Sequence, residues 1–231
     1  MRSRWLIALI ILAAALVLVL CLLRRPSRVG AVAIPQPPVG QPAAIDPALA
    51  GRPNVLLISL DTLRPDHLGC YGYDKPTSPK LDTFAKTGAV IFANAQSQAP
   101  WTLPSHASVF TSLLPSHARV EDLGQRLPAA IPTLAELLTA GGYHAVGLVN
   151  DAQMKAHWGF NRGFALWREF PVDTPAGACD HLTREALGWL AQAPPSQPWF
   201  LFLHYYDVHD PYEAPAAYRQ RFGVKLTGEQ T

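Results

Sequence analysis

The chain has 231 residues, 49% of them hydrophobic and 16% charged, with a formal net charge of +2. That balance provides neither the basic footprint of a nucleic-acid binder nor an acidic tail, so no nucleic-acid binding is expected. The three cysteines, Cys21, Cys70 and Cys179, form no C-x-x-C pair and no metal-ligand spacing, which leaves the redox compartment open.

Trp5–Leu23 is an uninterrupted apolar run of nineteen residues, long enough to cross a bilayer as a helix. Arg24, Arg25 and Arg28 follow it, an unusual setting for a cleavage site, so residues 1–25 read as an uncleaved membrane anchor or signal-anchor in preference to a signal cleaved late, at Ala31-Val32-Ala33. Positive charge flanks both ends and does not set the orientation. Residues 26–53, with IPQPPVGQP at their centre, cannot pack a core and read as a semi-rigid spacer. The folded domain is expected over residues 54–231, enough chain for a sizeable core.

Asn54–Leu60 (NVLLISL) is a short apolar run with branched side chains, the pattern of a buried central strand. Ser78-Pro79 opens a helix with an apolar stripe at Leu81, Phe84 and Ala85, and Gly88 closes it. Val90–Phe92 is a brief strand candidate, and a helix is expected from about Pro104 to Leu113. Ile131–Ala140 reads as a helix ended by Gly141-Gly142, and Tyr143–Asn150 as a second buried strand. Asp180–Ala193 is a moderately amphipathic helix, and Trp199–Tyr206 (WFLFLHYY) a third core strand. Helices alternating with apolar strands belong to parallel sheets with crossover connections, hence an α/β class.

The three strands end at Asp61, at Asn150 and at Asp207/His209. Ligands of α/β sheets sit outside the carboxyl ends of the strands, so these ends are candidates for one shared site. Thr102 stands where a helix is about to start, and there its hydroxyl has two readings. It could cap the helix, or it could be a nucleophile beside free N–H groups that favour an anion. Polar residues beyond neighbouring strands favour the nucleophile.

Phosphate and sulfate esters demand neutralisation of the anion together with a nucleophile, and a carboxylate-bound divalent metal supplies the first. Asp61 is a hard ligand for Ca²⁺, Mg²⁺ or Zn²⁺. His209 or His204 could ligate metal or protonate a leaving group, and His106 could orient the nucleophile turn or bind the anion. His67, His117, His144, His157 and His181 show no metal spacing and read as surface or internally satisfied histidines.

The ordered stretches NVLLISLDTLRPDHLGCYGY, PWTLPSHASVFTS and HYYDVHDPY resemble the sulfatase family of the alkaline-phosphatase-like superfamily. Pro79-Lys80-Leu81-Asp82, GGYHAVGLVN, Gly159-Phe160 and Gly163-Phe164 extend the likeness from Asn54 to Tyr212. The resemblance implies an alkaline-phosphatase-like α/β core around a mostly parallel sheet flanked by helices. It also implies a metal-dependent hydrolase of sulfate esters, with Thr102 at the nucleophile position, Asp61 and Thr102 on the metal, and His209 at the family's histidine. Ca²⁺ is the metal expected of a sulfatase, Zn²⁺ or Mg²⁺ that of a phosphoesterase.

Two departures qualify these expectations. Typical sulfatases carry Cys-x-Pro-x-Arg or Ser-x-Pro-x-Arg, whose first residue becomes formylglycine. Thr102-Leu103-Pro104-Ser105-His106 instead resembles the Thr-x-Pro-x-His of nucleotide pyrophosphatase/phosphodiesterases, in which threonine is phosphorylated directly. The family's later Asp-His or Asp-Asn metal pair has no counterpart up to Thr231, so the fold is expected to be incomplete at its C-terminus. The readings are thus a membrane-anchored, extracytoplasmic sulfatase-like hydrolase of an anionic ester, a phosphodiesterase or phosphotransferase acting through Thr102, and an inactive module that binds an anion or a partner.

Overall fold

The computed structural model describes residues 51–150, 153–171, 178–210, 212 and 214–222. The expected anchor and all but the end of the spacer lie outside the described residues, among which no helix is long and apolar enough to cross a membrane. β1 (Val55–Leu60), β2 (His144–Asn150), β3 (Leu166–Phe170) and β4 (Trp199–Tyr205) form one sheet in the spatial order β1-β4-β2-β3. Every neighbouring pair is parallel. Around the sheet lie α1 (Pro79–Gly88), α2 (Thr102–Thr111), α3 (Pro115–Ala118), α4 (Leu134–Ala140), α5 (Ala178–Leu190) and α6 (Ala216–Arg221).

Side chains alternate across a strand, so each strand feeds two cores. On one face Phe200 and Phe202 of β4 and Ala145 and Val149 of β2 meet Leu103, Ala107 and Phe110 of α2. Phe110 stands edge-on to Phe202 at 5.0 Å and to Phe160 at 5.5 Å, a favoured aromatic geometry. On the other face Val146, Leu148, Leu201 and Leu203 are covered by Leu182 and Ala186 of α5.

Thr133 and Glu136 close a capping box on α4, so that helix begins at Leu134, later than expected. Gly163 has φ +83°, and a Cβ there would collide with the backbone of Ala135 and Glu136, which explains why glycine precedes Phe164.

The structure corrects several sequence expectations. Among the described residues NVLLISL is an edge strand, not a central one: there β1 pairs only with β4, and the α5 core stops at β4. Val90–Phe92 forms no strand and pairs with none among the described residues; Val90 and Phe92 are 79% and 70% exposed. The stripe of α1 buries no residue. Ser78 does not cap that helix; its hydroxyl donates to Asp82 Oδ1 at 2.9 Å and accepts the Gly69 N–H at 3.1 Å. β3 went unforeseen, since Arg168 and Glu169 break its apolar run and mark it as a solvated edge.

Candidate active site

Strand alternation decides what β1 delivers. Val55 and Leu57 pack against the α2 core, so Ser59 faces the same way, and Asp61 follows just beyond the strand. Ser59 lies in register with His204 of β4, and the Asp61 N–H donates to the Tyr205 carbonyl at 2.9 Å. Thr62 then turns the chain with φ +56°, a conformation costly for a β-branched residue. Its hydroxyl donates to the Val208 carbonyl at 3.2 Å, which ties the loop after β1 to the loop after β4.

Helix α2 sits over these strand ends. Thr102 is its first residue, two earlier than the sequence expectation, and Trp101 occupies the cap position without a side-chain cap. The Thr102 hydroxyl is therefore not spent on capping: buried, it donates to Asp61 Oδ2 at 2.8 Å. The Leu103 N–H at the open end of the helix is taken by the Gln153 side-chain carbonyl at 3.1 Å.

His106, one turn on, is also buried. Its Nδ1 bonds to the Thr102 carbonyl at 2.9 Å and its Nε2 to the Ser59 hydroxyl at 2.8 Å. Since a carbonyl only accepts, Nδ1 carries the hydrogen. His106 thus pins the first turn of α2 to β1.

His204 is wholly buried, with its ring 4.9 Å from that of His106. Its Nδ1 donates to the Asn150 carbonyl at 2.7 Å, and its Nε2 lies 3.8 Å from Asp61 Oδ2. Burial, and then His106, push its pKa down to about 4 against the opposing pull of Asn150 and Asp61, so the ring is neutral at pH 7. With the hydrogen on Nδ1, a lone pair on Nε2 faces a carboxylate oxygen with no donor between them. His204 Nε2 and both side-chain atoms of Asn150 are buried without hydrogen-bond partners.

The geometry thus brings Asp61, Thr102 and His106 together, along with the strand-end Asn150 and with His204. His209 lies on the loop after β4. Its side chain is only partly buried, with Nδ1 2.9 Å from the Asp210 carbonyl and its ring stacked on Tyr206 at 4.1 Å. Asp207 accepts the Cys179 N–H at the start of α5 at 3.2 Å. Sequence reasoning missed Ser59 and Gln153. The alternation that puts residues 55, 57, 59 and 61 on one face would have found Ser59; Gln153 carries no local signal.

The unpartnered Nε2 of His204, the carboxylate of Asp61 and the hydroxyl of Thr102 are a donor set that suits a divalent cation. They are part of a ligand set only: among the described residues no three of His, Cys, Asp and Glu converge tightly enough to hold a metal.

A parallel α/β sheet whose strand ends surround a buried hydroxyl at a helix N-terminus has its polar residues where such sheets hold their ligands. The chain belongs to the sulfatase family, whose profile matches residues 53–230. It is 29% identical over 173 residues to the Δ4,5-hexuronate-2-O-sulfatase of Bacteroides thetaiotaomicron, covering 69% of this chain and 35% of that protein. It is 31% identical over 150 residues to human arylsulfatase A, covering 59% and 29% respectively. The chain therefore spans about a third of the length of these relatives. The phosphonate monoester hydrolase of Agrobacterium radiobacter shares its fold, with a TM-score of 0.63 and 23% identity over 73% of this chain and 44% of that one.

Proposed function

We propose that the domain is the nucleophile-bearing part of a sulfate-ester hydrolase in which Thr102 attacks directly. The observation that carries this reading is the buried hydrogen bond from Thr102 Oγ1 to Asp61 Oδ2 at the open end of α2. Asp61 aligns the hydroxyl and holds its hydrogen, so that an oxygen lone pair faces the incoming sulfur atom. As the Oγ1–S bond forms, the bond from sulfur to the leaving oxygen breaks. Water then cleaves the threonine ester and releases sulfate. N–H groups of the first turn and the helix dipole favour the anion, and Gln153 withdraws to free the Leu103 N–H. His106 and Ser59 keep that turn fixed on β1. His209 is the candidate acid for the leaving oxygen, on a loop tied to Thr62. A divalent ion bound through Asp61 and Thr102 would lower the pKa of the hydroxyl and neutralise ester charge.

One observation favours a second reading. A threonine followed by Pro104 and His106 is not a precursor of formylglycine, and an alkoxide suits transfer of a phosphoryl group equally well. Incubation with an aryl sulfate and, separately, with a bis-aryl phosphodiester discriminates between the two. Turnover with accurate-mass detection of sulfothreonine at 102 supports the first reading; phosphothreonine there supports the second. In either case Thr102→Ala should lower kcat/KM by at least about a thousandfold. Retained turnover in that variant would remove Thr102 from the reaction.

The apolar run at residues 5–23 and the spacer support an anchored, extracytoplasmic placement. Labelling of single surface cysteines in intact cells with a membrane-impermeant maleimide tests it, and protection of the domain would contradict it.

A further inference from the structure

On the sheet face away from α2, helix α5 and strands β2 and β3 leave a groove of about 320 Å³ between them. That volume is at the lower limit of ligand pockets, which span about 300–1,000 Å³. Leu148, Leu166 and Trp189 give it apolar walls, and Arg168, Arg184 and Glu185 give it charge. Thr102 opens α2, which packs on the opposite face, so the groove is separate from the candidate active site.

Two features of this lining are unusual. The first is its charge balance. Arg168 donates from Nη1 to Glu185 Oε2 at 2.5 Å, which engages the one acid of the lining. Arg184 has no hydrogen-bond or ion-pair partner among the described residues, so the groove keeps a net positive charge. The second is Gly188, in the interior of α5, one turn after Arg184. Glycine weakens a helix relative to alanine. Packing does not demand one here, because a Cβ on Gly188 would meet no atom within 4 Å. The missing side chain leaves room in the groove, beside the arginines and the indole of Trp189. That ring stands edge-on to Trp199 at 5.8 Å and parallel to His144 at 6.1 Å, which fixes it in the wall.

We propose that this groove binds a small organic anion: a sulfate, sulfonate or carboxylate carried on an apolar ring. The planar fork of a guanidinium matches two oxygens of such a group. Arg184 supplies that fork, and Arg168, steadied by Glu185, supplies a second positive charge. The ring lies against Trp189, Leu148 and Leu166, in the space that Gly188 leaves. A neutral ring offers Arg184 no counter-charge, and inorganic sulfate leaves the apolar walls uncovered, so charge and ring are both required.

The test uses the full chain in mild detergent and 4-nitrobenzenesulfonate, which carries no ester bond to hydrolyse. Equilibrium dialysis should show saturable binding, and hydrogen exchange should slow in the α5 amides from Arg184 to Trp189. Arg184→Gln should weaken binding by at least about tenfold, because a charge-assisted pair is lost. Gly188→Leu should abolish binding while Tm holds or rises, since leucine is the better helix former and its Cβ has room. Arg126→Gln, at an exposed arginine outside the groove, should leave binding unchanged. An equal loss in that variant would make the effect one of net charge and overturn the proposal. So would no saturable binding, undiminished binding in Arg184→Gln or Gly188→Leu, equal binding of neutral 4-nitrobenzyl alcohol, or protection confined to α2.

Discussion

β1 and β4 run side by side, parallel and in register from Val55↔Phe200 to Leu60↔Tyr205, yet they are different kinds of strand. Phe200, Leu201, Phe202 and Leu203 are buried on both faces, whereas in β1 exposure alternates residue by residue. Both deliver groups to the same place, since Ser59 and His204 are register partners and each meets His106. A strand therefore needs only one packed face to hold the candidate site. The site belongs to the α2 face, and the side chains on the other face of β1 are half-exposed among the described residues.

Mutations of equal chemistry on the two strands should break this comparison most visibly. Phe202 packs edge-on against Phe110 and is fully buried, so Phe202→Ala should cost about 3–5 kcal/mol. Ile58→Ala removes half-exposed carbon and should cost about 1 kcal/mol or less. Urea unfolding of the full chain in detergent reads both. Equal losses would mean that Ile58 is covered by something in the isolated chain, and β1 would then not be an edge.

The sequence made much of this legible, for identifiable reasons. Apolar runs at β1, β2 and β4 announce themselves because a parallel sheet buries its strands, and the polar residues that end them mark the site. Thr102 and Asp61 were legible through their positions at element boundaries. The neighbours of each strand were not legible, because order in a sheet is set by crossovers and not by composition; hence NVLLISL, which looks central, has β4 as its one neighbour among the described residues. Pairing partners across long separations, such as Thr102 with Asp61 and His106 with Ser59, likewise emerge only from the register. His209 was legible as chemistry, but its stacking on Tyr206 and its bond to the Asp210 carbonyl emerge only from the fold of the loop after β4.

A smaller effect sharpens the role of the packed face of β1. Ser59 holds His106, which holds the Thr102 carbonyl. Ser59→Ala should lower kcat by about tenfold with little change in KM, as expected when positioning rather than ground-state binding is lost. Ser59→Thr, which restores a hydroxyl, should recover most of it. An effect on KM alone would make Ser59 a binding residue.

The smallest effect concerns how the loops beyond the two strands are held. The loop after β1 is tied through Thr62 to Val208, while the loop after β4 has a second tie, from Asp207 to the start of α5. There, burial first and then the Asp207 carboxylate push the Cys179 thiol up to about 11. The thiolate is the reactive form, so alkylation of Cys179, in a chain with Cys21→Ser and Cys70→Ser, should be slow at pH 8. It should rise about tenfold per pH unit until its midpoint near 11. Asp207→Asn removes the negative charge, favours the thiolate and should move that midpoint down. A change in accessibility alone would scale the rate at every pH and leave the midpoint in place. An unmoved midpoint would therefore mean that Asp207 does not face Cys179, and that the loop bearing His209 is held only from the β1 side.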